Sequence, residues 1–108
     1  MVVRLWRTQV KKNCLAEYGE NERKRSLPMF KEQHGCLGVL FLRSDDMCFA
    51  LTFWKDLDAV ERLKTSKSYL EASQFYEHSG MLIGEPSLQV FEVEGGFISF
   101  PFGMADSI

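Results

Sequence analysis

The residues best suited to contacting a small molecule are hydroxyl and aromatic side chains at helical spacing. Tyr69, Ser73 and Tyr76, together with Ala72, lie on one side of a helix that we predict over residues 68–79. This side could line a pocket, but a stripe of this kind packs in a protein core more often than it holds a ligand. The sequence therefore supports a small-molecule pocket without naming the molecule.

Other kinds of catalytic site have no matching pattern in the sequence. His34 and His78 are far apart, and neither has an acidic or cysteine residue at the spacing of a metal site, so we expect no metal. No phosphate-binding loop or nucleophile elbow occurs. The three cysteines are odd in number and form no CxxC motif, which favours reduced thiols and a cytoplasmic location.

Composition narrows the class of partner. A formal net charge of −2 argues against nucleic acid, because phosphate binding needs a net basic face. No apolar run approaches the length of a membrane span, so no membrane partner is expected. The 108 residues suffice for one domain, predicted over residues 1–94. Residues 95–108 form a tail whose apolar stretch FISFPF, residues 97–102, we expect to pack on a partner subunit.

Alternating side chains predict the strands that would carry these residues. The most convincing strand covers residues 47–55, and it is apolar on both faces, as in a central strand covered on both sides. One face has Phe49, Leu51 and Phe53, and the other has Ala50, Thr52 and Trp54. A first strand is predicted over residues 2–10, with Arg4 and Trp6 on the same face. Two more strands are predicted over residues 37–43 and 87–93, the former joined to the central strand by a hairpin at Ser44-Asp45-Asp46.

The helix after the first strand has two interpretations. Asn13 is a plausible N-cap, and the helix would run from residue 14 to about residue 25 or on to residue 33. Its middle has polar residues, among them Glu22 and Ser26, where an amphipathic helix has apolar ones. We favour a short exposed turn that breaks near Pro28, because proline removes a backbone donor. The alternative is a helix that lines a partly polar cavity.

The remaining predicted elements complete the order of strands and helices along the chain. Gly35 suits a left-handed position at the end of the first helix, and Asp56 can cap a short helix that has Leu57, Val60 and Leu63 on one stripe. Gly84-Glu85-Pro86 is predicted to be a turn before the last strand. The order strand, helix, strand, strand, helix, strand is that of the split βαβ, ferredoxin-like α+β fold, with a four-stranded antiparallel sheet and helices on one face. Because the strands are apolar on both faces, we expect a second copy to cover the other face in a homodimer.

Four segments together resemble the antibiotic biosynthesis monooxygenase (ABM) domain family of dimeric α/β barrels. They are VVRLWRTQVK, LPMFKEQHGCLGVLFLR, ALTFWKDLDAVERLKTSKSYLEA and GEPSLQVFEV, in this order, and the resemblance spans residues 2–93. Its most specific parts are the turn at Gly35–Gly38 and the block containing Thr52, Trp54 and Asp56. The resemblance implies a pocket between the helices and the sheet of each subunit. It also implies oxygenation of an aromatic or quinone-like molecule without any cofactor, the deprotonated substrate itself supplying electrons to oxygen.

The same resemblance assigns expected roles to individual residues. Trp54 matches the recurrent pocket tryptophan of the family, although plain core packing is an equal alternative. Trp6 and Thr52 are expected on the same face of the sheet as Trp54. Tyr69, Ser73 and Tyr76 would close the cavity, either tyrosine could donate a hydrogen bond to a phenolate, and Arg4 could stabilise its charge.

The haem-degrading branch of this family fits the sequence poorly. That branch uses an asparagine on the first strand and a histidine on the last helix, where this chain has Trp6 and Ser73. His78 shares a face with Glu71 and Gln74 and is expected to face solvent. Three hypotheses then stand in order: a cofactor-independent oxygenase, a non-catalytic small-molecule binder, and a structural dimer whose tail is its working part. No clear general base is apparent for the first.

Overall fold

A four-stranded antiparallel sheet organises the molecule. The computed structural model describes residues 1–99, and it places the strands in the order β2-β3-β1-β4. Their bounds are β1 Val2–Val10, β2 Cys36–Ser44, β3 Met47–Trp54 and β4 Leu82–Glu92. The predicted ferredoxin-like α+β fold is confirmed, and β3 is a central strand as its two apolar faces predict.

The helices cover one face of this sheet. They are α1 Leu15–Asn21, α2 Leu27–Lys31, α3 Leu57–Leu63 and α4 Lys67–His78, with a short 3₁₀ turn at Lys12–Cys14. Asp56 caps α3 as predicted, accepting a 2.9 Å hydrogen bond from the backbone of Ala59. The predicted cap at Asn13 is wrong, because the 3₁₀ turn displaces the helix start and Cys14 occupies the N-cap position without a side-chain bond.

The predicted break near Pro28 does not occur. A π-helical turn, Glu22–Ser26, connects α1 directly to α2. The backbone N–H of Leu27 donates to the carbonyl of Glu22, five residues back. Pro28 then stands in the first turn of α2, where a missing backbone donor costs little. The favoured short exposed turn is therefore wrong, and the structure agrees with the alternative of a helix that lines a partly polar cavity.

The last strand also differs from its prediction. β4 begins at Leu82, five residues before the predicted start, so Gly84-Glu85-Pro86 lies inside the strand. The pairing with β1 shifts between Arg7 and Gln9, which marks a bulge at this point. Gly84 has a φ of 70°, and Pro86 follows it two residues later. Bulges tolerate both residue types, which explains how turn-forming residues occur within this strand.

Two clusters of side chains form the core between the helices and the sheet. One contains Trp54 and Phe30 with the buried face of α3, and the other contains Val10, Tyr18 and Tyr76. Of the three residues on the predicted stripe of α3, Val60 and Leu63 are buried, whereas Leu57 is 50% exposed. Within residues 1–99, no helix is long and apolar enough to cross a membrane.

The opposite face of the sheet has no covering layer among residues 1–99, and we call it the open face. Backbone pairing aligns its side chains in three rows across the strands. The rows are Gly38, Phe53, Val3 and Phe91; Leu40, Leu51, Leu5 and Gln89; and Leu42, Phe49, Arg7 and Ser87. Most of these residues are apolar, and Leu42 and Phe91 are each 43% exposed.

The chain after β4 leaves the sheet. Val93 still donates a 3.0 Å backbone hydrogen bond to Met1, but Phe97 is 92% exposed. The rest of the predicted FISFPF stretch, from residue 100, lies outside the described residues. The boundary after residue 94 and the packing of the tail on a partner subunit stay predictions.

Gly35 provides a test of the loop that joins α2 to β2. Its φ is +82°, the left-handed conformation expected from the sequence, and a Cβ there would lie 2.6 Å from the Cβ of Ala59. Gly35→Ala should therefore lower the free energy of unfolding by about 2–4 kcal/mol, measured by urea denaturation. Gly80→Ala is the matched control, because its φ is +76° with nothing within 4 Å, and should cost only about 1 kcal/mol. Equal losses in the two variants would contradict the close contact with Ala59.

Candidate functional site

A cavity of about 570 Å³ lies between the sheet and the helices. Strand residues form its floor, and the helical segment around the π turn faces α4 across it. The cavity-lining residues from β1, β2 and β3 are Arg4, Trp6, Phe41 and Ala50; from the helices they are Tyr18, Glu22, Ser26, Met29, Phe30, Tyr69, Ala72, Ser73, Tyr76 and Glu77; and the remainder are Gly80, Leu82, Gly84, Glu85 and Pro86. Pockets of this size accommodate drug-sized molecules.

Arg4 brings a positive charge to the cavity floor. It is only 4% exposed, and its Nη2 donates a 2.5 Å hydrogen bond to the hydroxyl of Tyr69. The guanidinium carbon also lies 5.2 Å from the centre of the Tyr69 ring. Burial lowers the pKa of Arg4, and contact with Tyr69 opposes that shift. No carboxylate within residues 1–99 pairs with Arg4, so its charge is uncompensated on the cavity side.

Two tyrosines and a serine form a cluster of hydroxyl-bearing side chains on the helical wall of the cavity. The hydroxyls of Ser26 and Tyr76 are hydrogen-bonded at 2.7 Å, and the rings of Tyr18 and Tyr76 lie 5.3 Å apart. Burial raises the pKa of Tyr76 to about 12, with the Ser26 hydrogen bond opposing the shift. Burial also raises the pKa of Tyr18, and Glu22 adds to that shift. Both tyrosines are therefore protonated at neutral pH.

Glu22 is the cavity-lining acid with a shifted pKa. Burial raises its pKa to about 7, while Arg23 and Arg43 pull it down. Desolvation outweighs the two cations because the carboxylate faces the cavity and not bulk water. Glu22 therefore exchanges a proton within the physiological pH range, which an exposed glutamate does not do.

The seven residues expected at the site occupy two different places. Five of them line the cavity: Arg4, Trp6, Tyr69, Ser73 and Tyr76. Trp54 and Thr52 are fully buried in the core and are not among the residues that line the cavity. Whether the five contact a substrate stays a prediction.

Trp54 and Thr52 lie in the core beside the cavity, on the same face of the sheet as Arg4. The indole Nε1 of Trp54 donates a 2.7 Å hydrogen bond to Thr52, whose hydroxyl donates at 3.3 Å to the backbone carbonyl of Arg4. The Trp54 ring packs edge-on against Phe30. Of the two alternatives for Trp54, the structure shows core packing, and its hydrogen bond to Thr52 helps to hold the strand on which Arg4 lies.

The cavity lining also includes Tyr18, Glu22 and Ser26, which are outside the seven expected site residues. Glu22 and Ser26 are considered only in the less favoured alternative of a helix that lines a partly polar cavity. A signal for them existed, since they follow one another at intervals of four residues. Polar residues at Glu22 and Ser26 interrupt the apolar stripe that a helix packed on a sheet should have. A polar interruption of this kind is what a helix over a polar cavity requires.

Histidine takes no part in this cavity. His78 is exposed, as expected, and Ser73 rather than a histidine occupies the wall of α4. Residues 1–99 contain no group of three or more histidine, cysteine or acidic side chains that could hold a metal ion.

The raised pKa of Glu22 predicts a pH-dependent stability. Its folded-state pKa is about 7 against an ordinary value of 4.5, so Glu22 favours folding below pH 4.5, and this contribution is lost as the pH rises to about 7. Glu22→Gln should remove this dependence. The stability of the variant relative to the parent protein should rise by about 2 kcal/mol between pH 5 and pH 8, after allowance for solvent in the cavity. Urea denaturation across this range measures it, and parallel curves for the two proteins would refute the raised pKa.

Comparison with known proteins places this architecture among solved structures. No protein-family model matches the chain, and no curated protein sequence matches it. A proposed antibiotic biosynthesis monooxygenase from Deinococcus radiodurans has a TM-score of 0.75 at 12% identity, over 94% of this chain and all of that one. Another from Nitrosomonas europaea has a TM-score of 0.73 at 13% identity, over 88% of this chain and all of that one.

A third similar structure carries a more specific description. SnoaB from Streptomyces nogalater, described as a cofactor-independent oxygenase, has a TM-score of 0.72 at 18% identity, over 91% of this chain and 97% of that one. At these identities the likeness establishes the fold. The resemblance expected from the sequence is confirmed: this chain has the fold of solved structures named as antibiotic biosynthesis monooxygenases.

Proposed function

We propose that the protein is a cofactor-independent monooxygenase that oxidises an acidic aromatic molecule with molecular oxygen. The observation that carries this proposal is the uncompensated charge of Arg4 in the cavity floor. A buried cation without a counter-ion is costly, so the cavity favours a ligand that brings negative charge or develops it during reaction. A phenolate or enolate oxygen has the charge and the geometry to accept hydrogen bonds from Arg4 and Tyr69.

The cavity walls suit a flat ring system. Trp6, Phe30, Phe41 and Tyr69 present aromatic surface to it, and Met29 adds a polarisable side chain. Enclosure between sheet and helices limits the access of bulk water, which strengthens the attraction between Arg4 and an anion. An electron-rich anion held in such a site is the species that could transfer an electron to oxygen.

The structural comparisons support the reaction class without extending it to a substrate. SnoaB is described as a cofactor-independent oxygenase, and this chain shares its fold. An anthrone-type molecule is a suitable probe because it has an acidic ring methylene. Its oxidation balances as a ring CH₂ plus O₂ giving a ring ketone plus water.

Arg4→Met tests the role of the buried charge. We expect the rate of oxygen uptake with anthrone to fall about 100-fold or more, because the developing anion loses its main stabilising group. The free energy of unfolding should be unchanged or higher by about 1 kcal/mol, because an uncompensated buried charge is removed. Arg62→Met on the exposed surface of α3 is the control and should keep full activity. Anthrone binding without oxygen uptake by the parent protein would instead favour a non-catalytic binder.

We also propose that the protein is a homodimer formed through the open face of the sheet. Three mainly apolar rows on four strands make a continuous surface of the kind that monomers rarely expose. A second copy is the economical cover, because a two-fold axis pairs the same surface with itself.

Sedimentation velocity tests this assembly. Leu42→Glu places a charge on the open face and should convert the dimer to a monomer, because an unpaired carboxylate would be buried in the interface. Leu57→Glu is the matched control: Leu57 is 50% exposed on α3, on the helical side, and its substitution should leave the dimer intact. A parent protein that sediments as a monomer would overturn the proposed interface.

A further inference from the structure

Glu22 occupies a chemically distinct end of the cavity. Charged and titratable groups from four different elements face it or act on it: Tyr18 and Arg23 from its own helical segment, Arg43 from β2, Cys48 from β3 and Tyr76 from α4. Burial raises the pKa of the Cys48 thiol to about 11, and both tyrosines keep their protons. Glu22 is therefore the group in this set that can accept a proton at neutral pH.

Backbone pairing separates this end of the cavity from Arg4. Arg4 pairs with Thr52 across the sheet, whereas Thr8 pairs with Cys48, which in turn pairs with Arg43. Arg4 and Thr8 are four residues apart on one strand, about 13 Å. The cavity thus has a cationic end at Arg4 and a proton-accepting end at Glu22. A ligand that contacts both must have polar or acidic groups on opposite edges of a ring.

The π turn is what directs Glu22 towards the cavity. It begins at Glu22 and ends at Ser26, and both residues line the cavity together with Tyr18 from the preceding turn. A five-residue hydrogen-bond step is rare in helices and is frequently found at functional sites. Here it presents a carboxylate and a hydroxyl to the cavity without breaking the helix.

We propose that Glu22 is the general base of the reaction, removing a proton from an acidic C–H group of the ring system whose oxygen is held by Arg4. This inference rests on the proposed function, and it names the residue that accepts the proton in that reaction. In an anthrone the methylene and the carbonyl oxygen lie on opposite edges of the central ring. The electron pair left by the proton passes through the ring onto that oxygen, next to the guanidinium.

The steps balance without an added cofactor. Glu22 takes the first C–H proton, and the carbanion is oxidised by O₂ to give, after recombination, a carbon-bound peroxide. The protonated Glu22 returns its proton to the peroxide oxygen. Loss of the second C–H proton then forms the ketone as the O–O bond breaks, and the departing hydroxide takes up that proton to leave as water.

Oxygen uptake with anthrone, measured from pH 5 to pH 9, tests the role of Glu22. Glu22→Gln should lower kcat about 100-fold or more and abolish the fall in rate that the parent protein shows below about pH 7. The dissociation constant of anthrone, measured by quenching of tryptophan fluorescence, should change less than about threefold, because Gln keeps the size and polarity of the side chain. Glu20→Gln is the control, since Glu20 is exposed two residues away and pairs with Lys24. An unchanged rate and pH profile in Glu22→Gln would overturn the proposal.

Deuterium exchange under argon separates this inference from the proposed oxygenase. The parent protein should accelerate exchange of the anthrone methylene protons in deuterated buffer, observed by NMR, and Glu22→Gln should not. Exchange that depends on Glu22 without any oxygen uptake would refute the oxygenase and leave the base assignment standing. Oxygen uptake that persists in Glu22→Gln, or a parent protein that fails to accelerate exchange, would refute the base assignment.

Discussion

The buried positive charge of Arg4 is the constraint on which the rest of the site depends. A buried guanidinium in the floor of a cavity needs either a partner or a ligand, and within residues 1–99 its side-chain contacts are with Tyr69. The strand that carries it is held by the hydrogen bonds from Trp54 to Thr52 and from Thr52 to the Arg4 carbonyl. The core tryptophan therefore serves the site indirectly, by holding the backbone at Arg4 from the core beside the cavity.

The second constraint is the helix that crosses the cavity. A regular α-helix ending at Pro28 would leave the cavity open on that side, and a helix with an uninterrupted apolar face would fill it. The π turn avoids both outcomes, because it connects the chain to α2 while presenting Glu22 and Ser26 to the cavity. Its cost in helix regularity is offset by the packing of Met29 and Phe30, both buried one turn further on.

Strand alternation made most of the fold predictable, and local exceptions made the rest difficult. Patterns of neighbouring residues alone predict the bounds of β1, the faces of β3 and the cap at Asp56. The bulge in β4 and the π turn do not, because each uses residues that also favour turns or breaks and only tertiary packing selects between the outcomes. The sequence predicts which side chains share the face of the sheet that the cavity adjoins. It does not predict which of them line the cavity and which are buried in the core, because that depends on which helices cover each part of a strand.

The position of Arg4 relative to the groups around Glu22 explains why the substrate should be aromatic rather than merely acidic. A cation directly beside Glu22 would stabilise its carboxylate and weaken it as a base, and no ring would be needed. Glu22 interacts with Arg43 and Cys48, whose paired positions lie four β1 residues away from Arg4, so charge created near Glu22 is stabilised by Arg4 only if a conjugated system connects the two ends. A saturated substrate of the same length would gain nothing from Arg4 when its proton leaves. The geometry of the two ends thus selects for delocalisation, which is also the electronic property that permits electron transfer to oxygen.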